Sequence, residues 1–149
     1  MKSLRSIALL VPGLCGISII AAQPVETLPG SVNDIMVNMV TPATNTIWGI
    51  EDPQTDEEWQ VYIDAAAQLV DAATRIKAGG TGPSDSTWAK NPEWQDFADV
   101  LVESGLEIAR AAAEKNLDLV IEISNDKMYP PCEDCHYMFH PGMQQQDYN

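Results

Sequence analysis

The chain has 149 residues, and 22 acidic against 8 basic side chains leave a formal net charge of −14. That length suits one domain with a modest core. So acidic a surface argues against nucleic acid and anionic membranes as partners, and three cysteines are too few for a disulfide scaffold.

Residues 1–22 read as a secretory signal. Lys2 and Arg5 form the positive region, Ile7 to Ile20 is apolar, and Ala21 and Ala22 offer a small-residue cleavage site before Gln23. The apolar run is short for a membrane span and is broken by Pro12, Gly13 and Gly16. Leu14 stands before Cys15, where lipid attachment would want a small residue. Cleavage would remove Cys15, leave residues 23–149 as one domain, and take the net charge from −14 to −16 with the loss of Lys2 and Arg5. The mature chain is therefore expected to be periplasmic and free of the membrane.

Gln23 to Gly30 carries Pro24 and Pro29 and reads as an extended leader. A first helix is predicted from Ser31, whose spacing to Asp34 matches a capping box. Val32, Ile35, Met36, Met39, Val40, Ala43 and Ile47 recur along it at helical spacing. Pro42 is expected to kink it, and Gly49 with Asp52-Pro53 ends it. The second helix opens on the capping box Thr55-Asp56-Glu57-Glu58. Trp59, Ile63, Ala66, Val70, Ala73 and Ile76 trace its buried face, and Gly79-Gly80 stops it. Residues 78–90 read as a loop, with Trp88 packing on one end of the fold. Asn91-Pro92-Glu93 starts a third helix, with Trp94, Phe97, Leu101, Gly105, Ile108 and Ala112 on one side. A tight turn is expected at Asn116, then a fourth helix from Leu117 through Val120, Ile121, Ser124 and Met128. Tyr129 and Pro130 each precede a proline, so a break is expected there, with a short separate helix beyond it. No strand pattern or repeat is seen, and the tail after Pro141-Gly142 is polar.

The short segment near the C-terminus holds Cys132-Glu133-Asp134-Cys135-His136. Cys-x-x-Cys-His is the pattern of covalent c-type haem attachment. Two thiols add to two vinyl groups of one porphyrin, so their separation must be short and fixed. On a helix Cys132, Cys135 and His136 share a face, and the imidazole is placed to bind iron as the proximal ligand. A redox Cys-x-x-Cys is one alternative, though no βαβ context accompanies it. A zinc site is another, with His140 as the fourth ligand. Glu133 and Asp134 read as solvated surface, so no catalytic role is expected of them. His140 reads as a surface histidine, a second metal ligand or a lining of the propionate edge.

Four helices with this motif on the last resemble the class II c-type cytochromes, the cytochrome c′ group. The resemblance runs from about Ser31 to Pro141. Its specific element is Cys132 to His136, supported by Met36 with Pro42 and Trp48, by Trp59, and by Phe139 then Pro141. It implies an all-α, antiparallel four-helix bundle holding one covalent haem c, with His136 on the iron. Where that family often has a basic residue four positions after the haem histidine, this chain has His140. The resemblance also implies a first helix passing over the open haem face, which makes Met36 and Met39 the distal-side candidates, and it allows a homodimer paired through the first two helices. Of the two methionines Met36 better matches the one preceding a Pro-x-x-x-x-x-Trp stretch, here Pro42 to Trp48. Methionine at helical spacing is also ordinary core filler. The function implied is an exported one-electron carrier working with a basic redox protein. Its alternative is a five-coordinate protein that binds nitric oxide or carbon monoxide.

Overall fold

The computed structural model describes residues 30–140. The expected signal segment, the leader up to residue 29 and the tail from residue 141 lie outside them. The described residues are all-helical, with no strand among them. Helix α1 covers residues 32–48, α2 is Asp56–Ala78, α3 is the single turn Asp85–Trp88, α4 is Pro92–Ala113 and α5 covers residues 117–139. No helix among the described residues is long and apolar enough to cross a membrane.

Each long helix starts where a side chain takes up the amides that have no partner within the helix. Ser31 Oγ accepts from the Asp34 amide at 3.1 Å while Asp34 Oδ2 accepts from the Ser31 amide at 2.9 Å. Thr55 and Glu58 repeat the exchange at 3.2 and 3.0 Å. Asn91 Oδ1 accepts from the Glu93 amide at 2.8 Å, and Asn116 Oδ1 from the Leu119 amide at 3.1 Å. Gly79 ends α2 at φ 85°, in the left-handed region. The turn between α4 and α5 takes its positive φ, 56°, at Lys115, so Asn116 serves as cap rather than as the turn residue.

Two further expectations are corrected. Residues 78–90 are not loop throughout, since Asp85–Trp88 forms a helical turn. Nor is there a break before the Cys-x-x-Cys-His motif: α5 runs from Leu117 to Phe139, and Tyr129 is helical at its start of the last segment, with φ −67° and ψ −46°. What the prolines cause instead is a widened turn. In α1 a π-helical segment, Met36–Val40, lies just before Pro42, and in α5 another, Ile123–Met128, lies just before Pro130 and Pro131. A proline inside an α-helix lacks a donor and its ring collides with the carbonyl four residues back. A wide turn moves that carbonyl aside without ending the helix.

The helices pack in opposite directions along their neighbours. Between α2 and α4, Trp94 Nε1 donates to Ile76 O at 2.9 Å near one end, and Lys115 pairs with Asp56 at the other. Midway, Gly105 lets the backbones close in, because a Cβ there would meet Val70 Cγ2 at 2.7 Å and Ala66 O at 3.2 Å. Between α4 and α5, Trp94 meets Phe139 while Lys127 pairs with Glu107 at 2.8 Å and Glu103 at 3.4 Å. Between α1 and α5, Trp48 Nε1 donates over a long 3.4 Å to Ser124 O, and the Trp48 ring meets Tyr129 edge-on. Ile47, Leu69, Ile108, Val120 and Met128 fill the centre. The buried hydroxyls of Thr44, Ser104 and Ser124 each donate to a carbonyl of their own helix, at 3.0, 2.7 and 2.9 Å, so none is left unsatisfied.

Candidate functional site

The helix ends that carry Trp88, Trp94 and Phe139 line a half-open cavity of 410 Å³, within the range of about 300–1,000 Å³ of small-molecule and cofactor sites. From α1 come Val32, Asn33, Met36, Val40 and Thr41; from α5 come Cys132, Cys135, His136 and Phe139, followed by His140. Ile76, Leu101 and the two tryptophans complete the wall. Trp88 stacks on Trp94 at 5.5 Å between ring centroids, and Phe139 stands edge-on to Trp94 at 5.1 Å.

The residues singled out from the sequence distribute themselves as follows. Cys132, Cys135, His136 and Met36 line one cavity although they come from opposite ends of the chain. Met39 is not among the lining residues; it is partly buried and packs against the core, and its carbonyl accepts from Gln68 Nε2 at 2.9 Å. Glu133 and Asp134 are exposed. Asn33 and Thr41 were not anticipated. Thr41 stands five residues after Met36, which is off the face of a regular helix, and the π turn between them brings it round. Pro42 was the signal that could have found this.

Both thiols are free and half-buried, and the Cys132 Sγ–H donates to Met128 O at 3.2 Å. Burial pushes each up to about 11, with the neighbouring Cys132 adding to the effect on Cys135. At neutral pH both are therefore protonated. Burial, and then the proximity of His140, lower the His136 imidazole. The two histidine rings lie 6.0 Å apart between centroids, tilted by 50°. A neutral imidazole keeps a lone pair free for a metal. Among the described residues no group of three or more His, Cys, Asp or Glu side chains is arranged as a metal-ligand set.

No known protein family, curated protein or solved structure matches the chain. The chemistry of the cavity therefore carries the functional reading.

Proposed function

We propose that the chain is an exported cytochrome of the c′ type, an antiparallel four-helix bundle that attaches one haem c in this cavity and carries single electrons. One observation carries the reading: Cys132, Cys135 and His136 open onto the same largely apolar cavity as Met36, with flat aromatic side chains closing it. The donor set fits the group. Cys132 and Cys135 would each supply a thioether, His136 an imidazole nitrogen for the iron and Met36 a soft sulfur for it. Iron in a porphyrin already has four ring nitrogens, so the site needs no four-residue cage of the kind zinc takes. Nor do the thiols suit a redox dithiol, which depends on a lowered pKa; both here are raised.

When bound, haem supplies the reversible one-electron chemistry. The chain's part is to hold it and to keep water away. Val32, Val40, Leu101, Trp94 and Phe139, which line the cavity, would surround it with apolar surface. Burial, then His140, lower the His136 imidazole, which favours the neutral form that could bind iron. The net charge of −14 supports approach to a basic redox partner. The same apolar wall would also admit a neutral diatomic gas if Met36 left the iron, which is the second reading.

The visible spectrum separates the two. Wild-type protein is expected to show low-spin, six-coordinate haem. Met36→Ala should turn it high-spin and let it bind carbon monoxide readily, whereas Met39→Ala should leave the spectrum unchanged and only loosen packing. A wild-type spectrum already high-spin would replace electron transfer with gas binding.

A further inference from the structure

The inner stripe of α2 is made of small or aliphatic side chains, with Ala65, Ala66, Leu69, Ala72 and Ala73 all buried. Gln68 stands in the middle of that stripe, three residues after Ala65 and four before Ala72. A half-buried amide among alanines is costly to desolvate unless it finds a partner. Gln68 finds one on another helix: its Nε2 donates to the carbonyl of Met39 at 2.9 Å. Met39 belongs to the π segment Met36–Val40, whose wide turn is closed by the Thr41 amide bonding to Met36 O, five residues back.

That turn decides which residues of α1 face the cavity. Regular α-helix turns by about 100° per residue, so residues eight apart drift by about 80°. Val32, Met36 and Val40 are spaced by four and all line the cavity, because the extra residue taken into the wide turn cancels the drift. Without it, the segment carrying Met36 would be rotated by about 100° relative to Thr41 and beyond. π turns are intrinsically unfavourable and persist where neighbours hold them.

We propose that Gln68 is a positioning residue for Met36: its amide, acting through the Met39 carbonyl, holds the wide turn in the register that presents the Met36 thioether to the cavity. The effect on the iron rests on the reading of Met36 as axial ligand; the effect on the turn does not. Removing the donor frees the turn to slip, so that Met36 competes less well with an added ligand.

The test uses haem-loaded full-length protein as wild type, Gln68→Leu and Gln68→Lys. Leucine keeps the bulk without the donor, and lysine restores a donor. Two quantities are read: hydrogen exchange at the Thr41 amide, and carbon monoxide affinity of the reduced protein. In Gln68→Leu both are expected to rise roughly five- to tenfold, the shift that loss of one net hydrogen bond produces, while Gln68→Lys stays near wild type. The proposal is overturned if Gln68→Leu leaves Thr41 exchange and carbon monoxide affinity unchanged, or if leucine and lysine alter them equally, which would make the effect one of packing. Faster Thr41 exchange in a protein whose carbon monoxide affinity is indifferent to both Gln68→Leu and Met36→Ala would support the hold on the turn and overturn the ligand reading alone.

Discussion

Asp85 is buried in a stretch of glycine, serine and threonine, and one of its oxygens does two things. Oδ2 accepts from the Val32 amide at 2.8 Å and from the Gly82 amide at 2.7 Å. It thereby ties the segment bearing Trp88 to the first turn of α1, on the edge of the cavity. Gly80 leaves the room for this, since a Cβ there would come within 2.5 Å of the same oxygen. Nothing in the local sequence announces the partnership, because its far end lies 53 positions away. Asp85→Ala should strand two amides and destabilise the protein by about 1–3 kcal/mol. Asp85→Asn, which keeps an oxygen in place, should lose clearly less. Equal losses for the two, measured by urea denaturation, would mean that the carboxylate's charge rather than its acceptor geometry matters.

At the scale of the helix, starts were legible and registers were not. Ser31 with Asp34, Thr55 with Glu58, and Asn91 cap as their spacing says, because capping is a contact within three residues, whereas Asn116, expected as a turn, is a cap too. Pro42 and the pair Pro130-Pro131 mark the right places, yet their consequence is a wide turn and not a broken helix. Whether a proline breaks a helix depends on what holds the flanking turns, and those contacts, Gln68 to Met39 and Trp48 to Ser124, come from distant parts of the chain. The caps also carry a pH dependence. Backbone amides from Ser31 and from Gln54 with Thr55 hold the Asp34 and Glu58 carboxyls below their usual range. A carboxylate lowered on folding stabilises at pH above its unfolded value and loses that contribution as pH falls through its folded one. Melting temperature should therefore drop below about pH 4, the ordinary carboxylate range. The drop should be shallower in an Asp34→Asn, Glu58→Gln double variant; a pH profile identical to wild type would remove the caps from the account.

For the whole molecule, helical content and the motif at its C-terminal end could be read from periodicity and spacing. The meeting of that motif with Met36 could be stated only through resemblance, since it depends on α1 and α5 lying side by side in opposite directions. The aromatic closure was half visible: Trp88 was expected at an end of the fold, but its stacking on Trp94 needs the turn Asp85–Trp88 that the loop-like composition hides. A porphyrin held covalently in this cavity would survive denaturation of the chain. Expressing the full chain together with a cytochrome c maturation system and extracting the purified protein with acidified acetone decides the matter. Haem is expected to stay with the precipitated polypeptide in wild type and to be absent from a Cys132→Ala, Cys135→Ala variant. Haem that passes freely into the acetone, or a wild-type protein that emerges from maturation with none, would contradict it.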